Sequence, residues 1–157
     1  MTQRRSRGSA ITETGPALFL LFVVIFFPML DLLEMAVGYI MSGIYHDYMI
    51  REIAMSAPPG VTPDPAIQTQ AAAITKVNTQ FKESSFYKFL KMEPSDLQVS
   101  NIQYFPNESN PNIVQCTTTC TVKPFISIPW WGSVPGLNAA FPFIISSQRP
   151  QEEKGRN

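Results

Sequence analysis

The chain has 157 residues, of which 45% are hydrophobic and 15% are charged, and its 12 basic and 12 acidic residues give no formal net charge. This balance excludes a protein that binds nucleic acid through bulk positive charge. The length accommodates one domain with an appendage rather than two folded domains. The apolar residues are concentrated near the N-terminus, so the elements are taken in chain order from there.

A stretch without any charged residue runs from Thr14 to Leu30, and its centre reads ALFLLFVVIFF. As a helix it would extend roughly 26 Å, close to the lower limit for crossing a hydrocarbon core about 30 Å thick. Three arginines precede the stretch, whereas Asp31 and Glu34 follow it and no lysine or arginine comes before Arg51. By the positive-inside rule, this pattern predicts a single-pass membrane protein with a cytoplasmic N-terminus and an exported C-terminal part.

A basic segment followed by an apolar run is also typical of cleavable secretory signals, which need small residues soon after the run. The first tolerable position here is the weak Met35-Ala36-Val37 neighbourhood. Two alternatives therefore stay open beside the interpretation developed next. One is a secreted binding module released by signal peptidase, and the other is an unprocessed membrane-anchored assembly factor with an exported interaction domain.

The residues just before the apolar run carry the third interpretation. The arginine-rich leader ends in Arg7-Gly8-Ser9-Ala10-Ile11-Thr12-Glu13. This arrangement resembles the processing site of type IV prepilins, in which a dedicated peptidase cuts after a glycine on the cytoplasmic face and a glutamate is fifth in the mature chain. Here Gly8 would end the leader, Ser9 would become the N-terminus and Glu13 would be fifth. A glycine admits an extended backbone closely into a protease cleft, and a carboxylate at a bilayer edge is costly enough to indicate a function.

Within that superfamily, the start RRSRGSAITE is most similar to the TadE-like pseudopilins of the Tad (tight adherence, Flp-type) pilus system. The resemblance covers about residues 4 to 57. It implies a minor pilin or pseudopilin-like subunit, or an assembly component, of a bacterial pilus or related secretion machine in the inner membrane. The implied partners are prepilin peptidase, other pilin or pseudopilin subunits, the pilus assembly machinery and inner-membrane lipid, with no nucleic acid. Glu13 would pair with the freed α-amine of its own or a neighbouring subunit.

The helical pattern continues beyond the apolar run as far as Ser56. Apolar residues nearly encircle this extension, which is typical of a helix that partners bury. Two prolines predict irregular geometry because proline lacks a backbone N–H. Gly15-Pro16 predicts a kink or a helix start, and Pro28 predicts a bend where the membrane ends. The single histidine, His46, is expected to be packed or exposed rather than a metal ligand, because no second ligand lies at ligand spacing.

The sequence divides into five predicted parts: a leader peptide (1–8), a transmembrane helix with its periplasmic extension (9–57), a Pro-rich linker (58–66), an exported α+β domain (67–148) and a flexible tail (149–157). In the exported domain, apolar spacing predicts an amphipathic helix from about Pro65 to Lys82. β-like runs predict strands at Leu97–Phe105, at Asn112 to about Ile128 and at Ala139–Ser147. The expected fold class is α+β, with an antiparallel sheet of about three strands and the helix on one face.

The only cysteines, Cys116 and Cys120, leave two outcomes open. In an exported protein a pair is more often oxidised than free. However, residues i and i+4 of one strand are roughly 13 Å apart, which is too far for a disulfide. A bridge therefore requires the strand to bulge at Thr117 to Thr119.

Trp130 and Trp131 lie among turn residues. They are interpreted either as a contact to a partner or membrane surface, or as a cover over the edge of a small core. The sequence has no nucleophile elbow, Gly-rich phosphate loop or metal-ligand cluster. We therefore expect a structural protein rather than an enzyme, with no cofactor and no metal site.

Overall fold

The computed structural model describes residues 9–56, 68–107, 110–126, 133–137 and 139–151. The predicted leader and Pro-rich linker lie outside this part of the chain. In chain order the structure contains α1 (Ser9–Leu21), a π-helical segment (Phe22–Phe26), α2 (Phe27–Ala54), α3 (Gln70–Glu83), α4 (Ser85–Phe89), a short 3-10 helix (Pro94–Asp96), β1 (Leu97–Asn107), β2 (Asn110–Val122) and β3 (Phe141–Pro150). The predicted α+β fold class is confirmed.

The N-terminal helix passes through both prolines. Pro16 lies inside α1, which begins at Ser9, so a helix start at Pro16 is wrong. Pro28 lies in the first turn of α2, directly after the π-helical segment, where the N–H of Phe27 donates to the carbonyl of Phe22. A proline ring collides with the carbonyl four residues earlier, and a wider π turn is one way for a helix to accommodate the lost hydrogen bond. The irregularity predicted at Pro28 is present just before it.

The part of the chain that the structure describes has one helix long and apolar enough to cross a membrane, from Thr14 to Ala54. Only its first part, from Thr14 to Leu30, is free of charged residues. This uncharged part is the segment that a hydrocarbon core could contain.

The rest of α2 lies against a three-stranded antiparallel sheet in the order β1-β2-β3. Side chains of the central strand β2 alternate between a buried and a partly exposed face, as in a strand covered on one side. The buried positions are Val114, Cys116, Thr118, Cys120 and Val122. Because these side chains are small, the larger Tyr45, Met49 and Ile53 of α2 complete the core, and all three are fully buried.

Helix α3 packs on α2, which is a correction to the predicted arrangement. The amphipathic helix was expected on the sheet, with the anchor helix held apart by a linker. Instead α2 covers the sheet, and the Phe81 ring of α3 packs 5.0 Å from the Tyr45 ring of α2. Thr69 caps α3 by accepting a hydrogen bond from the N–H of Ala72. The long apolar helix is therefore part of the core of the α+β domain, which we call the head.

Two strand ends differ from the prediction by more than two residues. β2 ends at Val122 rather than near Ile128, because Pro124 cannot donate to the strand ladder. β3 continues to Pro150, so the predicted tail begins inside the strand, where Arg149 pairs with Val114. The side-chain amide of Gln151 then donates to the carbonyl of Ser56, 3.2 Å away, which ties this end of the chain to the end of α2.

Gly38 permits the close approach of α2 to β2. A Cβ atom at this position would lie 2.6 Å from Cγ2 and 3.3 Å from Cβ of Val122, which is fully buried. The branched Val122 side chain is stiff at χ1 and cannot turn away easily. By contrast, a Cβ at Gly43 on the same helix would meet nothing within 4 Å.

We therefore expect Gly38→Ala to destabilise the head by about 1–3 kcal/mol, because overpacking forces α2 away from the sheet. The matched variant Gly43→Ala should stabilise it by up to about 1 kcal/mol, since alanine has the higher helix propensity. Urea unfolding of the full chain in detergent, followed by intrinsic fluorescence, measures both. Equal effects of the two substitutions would contradict this account of the α2–β2 contact.

Candidate functional site

The structure describes only some of the residues singled out in the sequence. Gly8, Trp130 and Trp131 lie outside the described residues. Ser9 is the first residue of α1, and Glu13 lies in the same helix, although its side chain is not among those described. The described helix thus includes two of the residues singled out, Ser9 and Glu13.

One side of α2 is largely apolar and largely uncovered by the described residues, although the Tyr39 ring packs 5.6 Å from that of Phe143 and the exposed Asp47 lies near its far end. We call it the outer face and define it by Leu32, Leu33, Tyr39, Ile40, Ile44 and Tyr48, which are 41–62% exposed. It continues the exposed apolar surface of Leu18 to Phe26 without a break in the helix. From Thr14 to Tyr48 the helix extends about 50 Å, well beyond a hydrocarbon core of about 30 Å. Lipid tails therefore cannot cover the whole apolar surface.

An open groove lies beside the outer face, between α2 and α3. Its volume is about 290 Å³, and Ile44 and Tyr48 line it together with Val77 and Gln80 of α3. A large exposed apolar patch on a folded protein marks an interaction surface. The outer face and this groove together could accept an apolar helix from a neighbouring molecule.

The opposite side of α2 carries two buried carboxylates. Asp31 is fully buried, and its Oδ1 accepts a hydrogen bond from the N–H of Ile126 at 3.1 Å. Glu34 is 7% exposed and accepts from the N–H of Phe125. Burial raises the pKa of Glu34, although the Phe125 hydrogen bond opposes the shift. We call these two contacts the acidic clasp, since they hold the chain after β2 against the first turns of α2.

The acidic clasp was missed in the sequence, where both residues were considered only as charges that follow the span. Their i, i+3 spacing puts them on one side of a helix, directly after an apolar stretch, and this was the available signal. The second oxygens, Asp31 Oδ2 and Glu34 Oε2, have no hydrogen-bond partner among the described residues. Such buried and half-satisfied carboxylates carry a cost in stability.

His46 is buried between α2 and the sheet. Its Nδ1 is hydrogen-bonded to Thr118 Oγ1 at 2.9 Å and its Nε2 to Ser147 Oγ at 2.6 Å. Both ring nitrogens are thus satisfied by hydroxyls, and burial lowers the pKa of the ring. Within the described residues, no group of three or more histidine, cysteine or acidic side chains could hold a metal ion. Thr118 was also missed, although strand alternation puts its hydroxyl on the buried face, where it needs a partner.

Cys116 and Cys120 are free thiols on the buried face of β2, so the structure shows the unbridged one of the two outcomes that the sequence left open. The bulge that a bridge requires is absent, because β2 pairs with β3 residue by residue from Ile113 to Val122. Both register shifts lie instead in the pairing of β1 with β2, between Ser100 and Gln103 and between Phe105 and Asn107. Burial raises the pKa of each thiol to about 11, so both behave as small apolar core residues.

Comparison of the chain with protein-family models, with curated proteins and with solved structures finds no match in any of the three.

The stability of the head should depend on pH through His46 and Glu34 with opposite signs. Because the pKa of His46 is lowered, the unfolded state binds the proton more readily, and stability is lost as the pH falls through the ordinary histidine range. Because the pKa of Glu34 is raised, its contribution is present at low pH and lost as the pH rises. When the pH is lowered from about 7 to 5, the His46→Gln variant should therefore lose less stability than wild type, and the Glu34→Gln variant should lose more.

Urea unfolding of the three full-length proteins at several pH values tests this expectation. Glutamine keeps hydrogen-bonding capacity at both positions, so the comparison isolates the titration. Parallel pH profiles for the three proteins would contradict the assignment.

Proposed function

We propose that the protein is a prepilin-like structural subunit or assembly component of a bacterial pilus or related secretion machine, most similar to TadE-like pseudopilins. Prepilin peptidase would remove residues 1–8, and the mature subunit would join other pilin or pseudopilin subunits through its long helix. The outer face of α2 is the observation that carries this proposal. The arginine-rich start with Gly8 and Glu13 supplies the matching sequence signature.

The outer face supports assembly because it begins where the span ends. A helix that is apolar on its solvent side beyond the membrane gains by packing against other helices. At the same time the inner side of α2 is fixed to the head by the acidic clasp, by Gly38 and by His46. Helix and head would therefore enter an assembly as one rigid unit, so that the register of the helices also positions the heads.

The position of the acidic clasp disfavours a secreted module. Cleavage near Met35-Ala36-Val37 would remove Asp31 and Glu34, whose carboxylates hold Phe125 and Ile126. The cut would also fall within α2 while its neighbours Glu34 and Gly38 are buried against the head. The anchor and the head would then be parts of one mature protein.

Charge neutralisation gives Glu13 its role in this proposal. Processing after Gly8 would free an α-amine on Ser9 that is mostly protonated at neutral pH. When the helix moves into a bundle, the amine and the Glu13 carboxylate leave water, and an unpaired charge there costs several kcal/mol. Pairing within or between subunits offsets that cost and sets the axial register.

Co-expression with prepilin peptidase, followed by intact mass measurement, tests the processing step. The wild-type protein should lose Met1 to Gly8, and Gly8→Leu should keep them because a bulky side chain blocks close entry to the protease cleft. Gly15→Leu is the matched control and should be processed normally. Glu13→Ala should be inserted and processed but should not be incorporated. A mature chain that keeps residue 1 would indicate the unprocessed anchor, and one that begins after residue 31 would indicate the secreted module.

A charge on the outer face tests the assembly step. Ile40→Glu should lower recovery with pilin or pseudopilin subunits more than about tenfold, because a lone carboxylate would be buried between helices. Ile40 is 59% exposed, so the fold should tolerate the substitution. Ile144→Glu is the matched control, since Ile144 is 67% exposed on β3, and its recovery should stay at the wild-type level. Equal recovery of both variants from cells with the native assembly system would refute this use of the outer face.

A further inference from the structure

We propose that the side of the head nearest the membrane lies in the headgroup layer of the bilayer that α2 leaves, and binds anionic lipid headgroups. We call it the headgroup surface and define it by Phe86, Lys88, Phe89, Lys91 and Phe125. The inference rests on the membrane anchor in the proposed function, but not on processing or assembly.

The headgroup surface combines exposed aromatic rings with basic side chains. Phe86, Phe89 and Phe125 are 50%, 58% and 53% exposed, although a soluble head would be expected to bury such rings. Lys91 Nζ lies 4.7 Å from the centroid of the Phe125 ring. Lys88 is exposed, and neither lysine takes part in an ion pair within the described residues. Aromatic rings beside lysines are typical of surfaces that sit in a lipid interface.

The acidic clasp determines the height of this surface above the hydrocarbon core. The N–H groups of Phe125 and Ile126 bind Glu34 and Asp31, and Glu34 is four residues beyond Leu30. At the helical rise, four residues correspond to about 6 Å. The headgroup layer on each side of a bilayer is about 5–7 Å thick. The backbone at Phe125 therefore lies within that layer when Leu30 marks the end of the core.

The helix cannot avoid this contact by shifting along the membrane normal. A shift toward the cytoplasm would draw Asp31 into the core ahead of Leu32 and Leu33, which is costly, and would bring Phe125 deeper into lipid rather than away from it. A shift outward would move Phe26 and Met29 from lipid into water. The protein itself does not cover these side chains, which are 46% and 63% exposed in the structure. The head cannot tilt away either, because it packs directly on α2 without an intervening linker.

The charges of this region favour anionic headgroups. The acidic Glu93 and Asp96 are both bound by Lys123, at 2.8 Å and 3.4 Å. Lys88 and Lys91 are thus the charged side chains that the headgroup surface itself exposes, whereas Asp31 and Glu34 behind Phe125 and Ile126 are buried. Lysines near an anionic membrane are attracted to it over about one Debye length. The contact should therefore form on any lipid and be strengthened by anionic lipid.

The test uses the full chain in nanodiscs that hold one copy each, made from phosphatidylcholine with or without phosphatidylglycerol. A fluorophore is attached to a cysteine introduced as Phe89→Cys or, as the matched control, as Phe105→Cys. Phe105 is 42% exposed at the far end of β1. The native thiols are buried and their pKa is raised to about 11, so they should not be labelled at neutral pH.

Quenching by lipids with spin-labelled headgroups should be several-fold stronger at position 89 than at position 105, and stronger still with phosphatidylglycerol. In a second variant, Lys88→Glu with Lys91→Glu should abolish the increase that phosphatidylglycerol causes. Equal quenching at positions 89 and 105 would overturn the proposal. Stronger quenching at position 89 that appears only in larger discs with several copies, and not in discs with one copy, would also overturn it.

A third label, at Phe19→Cys, separates the two hypotheses. Phe19 is 71% exposed in the spanning segment, so lipids with spin-labelled acyl chains should quench it. If position 19 is quenched while positions 89 and 105 behave alike, the headgroup contact is wrong and the anchor stands. If position 19 is not quenched, the anchor and the headgroup contact are both overturned.

Discussion

The close contact between α2 and β2 is the constraint on which the rest of the structure depends. Gly38 lets the helix lie directly on Val122, and the large side chains of α2 fill the space left by small cysteine and valine side chains. The same long helix thereby combines the candidate membrane span with the central element of the head. The consequence is mechanical: any force or register that acts on the helix also acts on the head.

The two sides of α2 reverse the usual distribution of polar residues. The side against the head includes Asp31, Glu34, Ser42 and His46, whereas the outer face carries leucine, isoleucine and tyrosine. Buried polar groups are tolerated because backbone N–H groups and hydroxyls bind them. A helix of a monomeric soluble protein would have the opposite arrangement. The reversal is understandable when the outer face has another apolar surface as its environment and the inner side needs directional contacts to fix the head.

Local periodicity was sufficient to predict much of the fold. The α3 helix and the three strands were predicted because their patterns of apolar residues can be recognised within a short stretch of sequence. The role of α2 could not be found in this way, since apolar residues nearly encircle it and give no preferred side. Its inner side mixes polar residues such as Asp31 and His46 with apolar ones, so a search for apolar stripes does not separate it from the outer face. The partners of Asp31 and His46 lie 95 and 72 residues further along the chain, and only the tertiary structure brings them together. The free thiols follow from an unbroken β2, a property set by its pairing with β3 rather than by its own sequence.

Two carboxylates mark the ends of the apolar segment, and they meet the same electrostatic problem in different ways. Glu13 and Asp31 are 18 residues apart, which is about 27 Å along a helix and close to the thickness of a hydrocarbon core. Asp31 accepts a backbone N–H from its own head, so its burial is compensated within one subunit. At the other end, the proposed function requires Glu13 to find a cation, and processing would supply one as the new α-amine. In the proposed function, the burial of Asp31 is compensated when the head folds, whereas Glu13 is neutralised on assembly. Removal of the leader would thus enable assembly without altering the folded head.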